Sequence, residues 1–156
     1  MSKVQRGLIE YNGINSCPKN VLNFKQINIE NIFSIPSEKP DIEQLVKVYA
    51  SGEIIHHEIV KTPIGKSLEG QILTGYKLLV SGDITMKFEY VTLEKTHPVH
   101  IAHNHFPFCG YIVLPENLNK YSTTFPAITI EDIYSEKTDS RCIYSTITMM
   151  LSADIC

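Results

Sequence analysis

"KLLVSGDITMKFEYV", residues 77–91, alternates with a period of two. Leu78, Val80, Gly82, Ile84, Met86, Phe88 and Tyr90 fall on one face, and Lys77, Ser81, Asp83, Thr85, Lys87 and Glu89 on the other. Successive side chains of a strand point to opposite faces of a sheet, so this is the pattern of a half-buried antiparallel strand. Gly82, set within the apolar face, predicts a bend or bulge.

The same period recurs along the chain. "IYSTITMMLSADI" (143–155) sends Ile143, Ile147, Met149, Leu151 and Ile155 one way, and Tyr144, Thr146, Thr148 and Asp154 the other. "PAITIEDIYSE" (126–136) is a further β-rich run, and "NFKQINIENIFSIP" (23–36) alternates imperfectly, with Ile27, Ile29 and Phe33 on one side. "LVKVYASGEIIHHEIVK" (45–61) is long and β-branched, with a break expected at Gly52. Only "KPDIEQLV" (39–46) reads as helical, for one or two turns with Pro40 at the first helical position. Turn-forming stretches such as "TPIGKS", "LEKTHP" and "SEKTDS" separate the runs. Together they predict an all-β chain: an antiparallel β-sandwich or partly open barrel with at most one short helical turn. Residues 1–22 read as an N-terminal extension and 23–156 as a single β domain. Within the extension "GLIEYNG" predicts a short strand, broken by "NSCPKN", and makes Leu8, Ile9 and Tyr11 candidates for an assembly strand.

The length of 156 residues suits one domain with its own core. A net charge of −3 with no run of Lys and Arg argues against a nucleic-acid surface, which needs a basic stripe. No segment approaches the roughly 20 apolar residues of a membrane helix, so no membrane insertion is expected. "MSKVQRGLIEYNGINSC" has no apolar signal-peptide core, which predicts a protein made inside a cell and not exported by the general secretory route.

"HPVHIAHNHFPFCGY" (97–111) holds four of the six histidines. On a strand, His103 and His105 share a face with Val99 and Ile101, while His100 lies opposite with Ala102, Asn104 and Phe106. Side chains two apart stand about 6.5–7 Å from one another, so His103 and His105 with a third ligand from His57 or His56 form the set that would hold zinc or copper. The four histidines of the His97–His105 stretch nevertheless divide between two faces and cannot all converge. The expectation is exposed imidazoles without a functional metal site, with a pH-sensitive surface as the middle option between the two. No cofactor is expected: the sequence has no P-loop, GxGxxG, GxSxG or HExxH. Glu30 with Glu38, and Asp132 with Glu136, lie in polar contexts. Cys109 and His105 share a strand face but stand too far apart along it for a nucleophile–base hydrogen bond. The expected answer is a non-enzyme.

Four cysteines, Cys17, Cys109, Cys142 and Cys156, form no CxxC pair, so no zinc ribbon is indicated. Cys17 and Cys156 lie near the chain ends, where thiols can cross-link subunits; four free, reduced thiols is the equal alternative.

Several pieces in order resemble one family. They are "IPSEKPDIEQLVKVYASGEI" (35–54), the strand 77–91, "PVHIAHNHFPFCGYIVLP" (98–115) and the hairpin "IEDIYSEKTDSRCIYSTITMML" (130–151), with an Arg after its polar turn. This order is similar to the SPOCS domain of clostridial spore-coat and sporulation proteins, from about residue 24 onward. The resemblance implies outward-facing polar positions at His103 and His105, apolar ones at Ala102, Phe106 and Phe108, and no catalytic residue. It implies a structural protein of the spore surface (coat, exosporium or appendage), made in the mother-cell cytoplasm and deposited on the spore. Its partners would be copies of itself and other spore-coat proteins. The family's best-known member adds a C-terminal LysM module, which this sequence is expected to lack. Assembly would use strand exchange by residues 4–14 into a sheet edge, locked by Cys17 to Cys156 or Cys109, with Cys142 a further candidate; residues 1–22 folding back on their own domain or staying disordered is the equal alternative. A monomeric or dimeric module docking on a coat protein or carbohydrate is the alternative, and metal binding through the histidine strand a second.

Overall fold

The computed structural model describes residues 2–16, 18–66, 68–70, 72–118 and 122–156. Eight strands follow one another: β1 (Ser2–Arg6), β2 (Ile9–Ile14), β3 (Phe24–Ser34), β4 (Ile42–Lys66), β5 (Ile72–Thr92), β6 (Val99–Val113), β7 (Thr124–Lys137) and β8 (Cys142–Ile155). They form a five-stranded sheet in the order β1-β2-β4-β5-β6 and a three-stranded sheet in the order β3-β8-β7. Every pairing is antiparallel except β2 with β4, which run parallel over residues 10–12 and 47–49. The fold is therefore an all-β sandwich, and the sheets do not close into a barrel.

The alternation of β5 decides the packing. Leu78, Val80, Ile84, Met86, Phe88 and Tyr90 are all fully buried, while the residues between them line the outer face. Across the interface they meet Ile143, Ile147, Met149 and Leu151 of β8, Ile130 and Ile133 of β7, and Ile27, Ile29 and Phe33 of β3. The Phe33 and Phe88 rings stack with centroids 5.8 Å apart. Burying each such side chain contributes about 1.5–3 kcal/mol by transfer from water, and β5 supplies more of them than any other strand.

Both strand glycines behave differently from the sequence expectation. The bulge lies on β4, between Ile54 and His56, and Gly82 of β5 runs straight opposite it. A Cβ on Gly82 would fall 1.9 Å from the Glu53 carbonyl oxygen and 2.8 Å from the Phe108 ring, so the position has room for hydrogen alone. Gly52 does not break its strand; β4 continues through it, and Ile84 and Ile128 cover the space a side chain would need.

The expected helical turn at 39–46 is absent: among the described residues there is no helix, and β4 begins at Ile42. Ile42, Leu45 and Val48 are buried at a spacing of three, which mimics a helical stripe. Register shifts between Ile42 and Gln44 and between Leu45 and Lys47 produce that spacing within a strand, because each bulge resets the alternation. The preceding turn is held by Arg141, whose guanidinium donates to the carbonyls of Lys39 (2.6 Å) and Pro36 (2.7 Å) and to Asp41 (3.1 Å). The Pro36 carbonyl also accepts from the Lys39 N–H at 2.9 Å, closing a tight turn just before the strand. Asp139 shapes the β7–β8 turn behind Arg141. Its carboxylate accepts from the backbone N–H of Arg141 and Cys142, which holds its pKa below the usual carboxylate value.

Replacing Gly82 with Ala is expected to cost about 3 kcal/mol, because backbone must move, whereas Asp83→Ala on the outer face stays within about 0.5 kcal/mol. Urea unfolding of the two variants measures the difference.

Candidate functional site

The N-terminal residues form a hairpin on the chain's own five-stranded sheet. Gly7, at φ +58°, makes the β1–β2 turn, a left-handed conformation glycine adopts without strain. Gly13 lets β2 lie against β4, since a Cβ there would fall 2.1 Å from the Ala50 carbonyl oxygen. Of the three strand candidates, Leu8 projects from the turn and is exposed, Ile9 packs at the core's margin, and Tyr11 is 1 % exposed. The Tyr11 hydroxyl donates to the Ser135 carbonyl and accepts from the Ser135 N–H, both at 3.0 Å. Burial raises its pKa. Arg6 lies over the Tyr11 ring, donates to the Ile133 carbonyl at 2.9 Å and pairs with Asp132. At the end of β2, the Asn15 N–H donates to the Ile130 carbonyl at 2.9 Å. The hairpin thus closes one side of the sandwich by binding the edge of β7.

The thiols lie apart. Cys109 is exposed on the outer face of β6, Cys142 is half-buried at the start of β8, and Cys156 is exposed at the chain end, where its backbone exchanges two hydrogen bonds with Thr123. All three are free. Cys156 rims an open cleft of about 590 Å³ with Leu22, Asn23, Pro115 and Ile155. Cys17 lies outside the described residues.

The histidines do not converge. His97 is not on the strand: it occupies a turn at φ +48°, with Nδ1 2.8 Å from Glu43, and β6 starts two residues later. His103 and His105 project outward on β6, and His105 meets Thr85 at 3.0 Å. His57 pairs with Val80, a core residue, whereas His105 pairs with Thr85 on the outer face. They therefore stand on opposite faces, about 16 Å apart along β5 at the strand's rise. Among the described residues, no group of three or more His, Cys, Asp or Glu is placed to hold a metal ion. Cys109 and His105 are separated by about 13 Å along β6 and form no pair.

A shallow concavity of about 290 Å³ crosses the outer face of the large sheet, lined by Asn12, Tyr49, Ser51, Thr85, Lys87 and His103. Lys87 sits 4.0 Å above the Tyr49 ring, which seals its floor. Tyr11 was legible as a strand residue, but its clamp to Ser135 and the role of Arg6 gave no signal in the sequence, because their partners lie more than 120 residues away.

Two bulged sheets packed face to face, closed on one side by an N-terminal hairpin, make this a single-core β-sandwich domain. The profile of the SipL, SPOCS domain family matches residues 41–138, more than half of the chain, and the chain belongs to that family. The match spans β4 to β7 and so contains the core strand β5 and its neighbours. No curated protein and no solved structure matches the chain. Family membership gives the protein a sporulation-associated role.

Tyr11→Phe is expected to lose about 1–3 kcal/mol, since it leaves both backbone groups of Ser135 without their partner. A raised tyrosine pKa contributes stability that is fully present below the ordinary value of about 10 and is lost as pH climbs toward the folded value. The alkaline decline in stability should therefore be shallower in Tyr11→Phe, as read by denaturation at stepped pH.

Proposed function

We propose that this chain is a non-enzymatic structural protein of the bacterial spore surface that assembles with copies of itself and with other spore-coat proteins. Its sporulation-associated family supports the setting. The placement of the thiols is the observation that carries the assembly. Cys109 lies on the five-stranded sheet and Cys156 directly follows β8 of the other, and both are free and exposed, so each is open to a neighbouring subunit.

The N-terminal hairpin offers a second means of joining. It meets β4 through three residue pairs and the Glu10–Lys47 ion pair, bonds β7 through Arg6, Tyr11 and Asn15, and buries Tyr11 and Ile14 in the core. A hairpin from a neighbouring copy can make the same bonds, which is the logic of domain swapping. The projecting end of β4–β5 extends past the last β5–β6 pair, Lys77 with Val113, and exposes Ile64, Leu68 and Ile72. Apolar surface of this kind marks an interaction site more often than a free surface.

A docking module is the second reading, favoured by the Tyr49–Lys87 concavity. Its mixture of an aromatic ring with amide, hydroxyl and cationic groups suits a carbohydrate or a polar peptide.

Chain oxidised in air is expected to give intermolecular disulfide peptides of Cys109, Cys156 or Cys17 in non-reducing mass spectrometry, with a ladder of multimers that collapses on adding thiol. A fully reduced monomer after oxidation would remove cross-linking from the account and leave the docking module ahead.

A further inference from the structure

Most edges of the two sheets are built to refuse another strand. β4 carries Pro63 and two bulges along its projecting half. β6 carries Pro107, and β7 carries Pro126, a bulge and the bound hairpin. β1 is five residues long, with an irregularity at Ser2 and Lys3. Prolines, bulges and short lengths are the ordinary defences of a sheet edge. β3 has none of them: it runs eleven residues without proline and matches β8 residue for residue without a bulge.

Two hydrogen bonds fix which backbone groups of β3 face outward. The Ala153 N–H donates to the Asn23 carbonyl at 3.0 Å, and the Ile35 N–H donates to the Arg141 carbonyl at 2.9 Å. Bonded pairs alternate along an antiparallel ladder. Odd-numbered residues of β3 therefore face β8, and the N–H and C=O of Phe24, Gln26, Asn28, Glu30, Ile32 and Ser34 point away from the sheet. The polar side chains at these positions lean back over the sheet. Gln26 donates to Glu131 (2.9 Å), while Asn28 accepts from Thr148 (2.9 Å) and Glu30 from Tyr144 (3.1 Å). Among the described residues no strand covers this edge, and Phe24 is 55 % and Ile32 74 % exposed near its two ends.

We propose that this edge docks a second copy of the chain, β3 against β3, antiparallel across a two-fold axis at Asn28. The strand is self-complementary about that residue. Phe24 faces Ile32 of the second copy, Gln26 faces Glu30, and Asn28 faces its own equivalent. On the inner side Ile27 faces Ile29 and Lys25 faces Asn31. Apolar meets apolar throughout, and no like charges stand opposite. Sliding the pair by two residues sets Lys25 against Phe33 with Ile32 against Gln26, or Lys25 against Ile29 with Phe24 against Glu30. The side-chain pattern thus selects one register. About ten backbone hydrogen bonds form across the axis, and the two three-stranded sheets become one. The proposal rests on the self-assembly reading only in taking the partner to be this same chain.

Sedimentation of the full chain in reductant, native and as Ile32→Asp and Asn28→Pro, tests the interface. Asn28→Pro removes an N–H on the free side alone, as native proline does elsewhere on these edges. The native chain is expected to dimerise, and both variants to weaken the dimer by about tenfold or more. Asn28→Cys is expected to yield a 28–28 disulfide peptide on oxidation. Native self-association that both variants leave unchanged, with no 28–28 peptide, would overturn the β3 interface and leave self-assembly standing. A native dimer that grows no further keeps the interface and removes the polymer. A native monomer overturns both.

Discussion

The dry inner face of β5 is the constraint on which the rest of the molecule depends. Six of its side chains are fully buried in alternation, and Gly82 interrupts the row where the neighbouring backbone comes too close for any Cβ. β4 must bulge to follow that strand, since its residues 54–56 are displaced opposite Gly82. β6 pairs with β5 over fifteen residues without a shift, which fixes Ala102, Phe108 and Ile112 inward and His103 and His105 outward. The three-stranded sheet then has one surface to cover, and β8 covers it with Ile143, Ile147, Met149 and Leu151.

What was legible in the sequence follows from that alternation. β5, β8 and the inward set of β3 could be read because a one-residue period error would put whole rows of apolar side chains in water. The same rule misled at Ile42, Leu45 and Val48. Two bulges convert a period of two into a spacing of three there, and a spacing of three reads as helix. Gly52 and Gly82 were legible as special positions, but whether a glycine breaks a strand or lets another backbone approach depends on its neighbour across the sheet. His97 was grouped with the strand because its turn geometry depends on Glu94 and Glu43, which lie outside the histidine run. The hairpin's clamp is a contact between chain ends, and no local pattern announces it.

The candidate sites divide in the same manner. That His103 and His105 share one face followed from strand parity, that this face is outward followed from the family resemblance, and the separation of Cys109 from His105 followed from the rise along the strand. The status of the sheet edges did not, because an edge is defined by strand order. Once the order is known, ordinary residues acquire a role. Pro63, Pro107 and Pro126 stand on strands that border solvent, where a missing N–H costs the fold little and discourages pairing. For a protein of a sporulation-associated family that is proposed to assemble, guarding most edges while leaving one bare favours ordered contacts over indiscriminate aggregation.

Self-assembly is the central claim, and negative-stain electron microscopy of the purified full chain, with and without a reducing agent, tests it most directly. The account predicts ordered fibres or sheets that shorten, loosen or disperse when thiols are reduced. Uniform small particles under both conditions would contradict it.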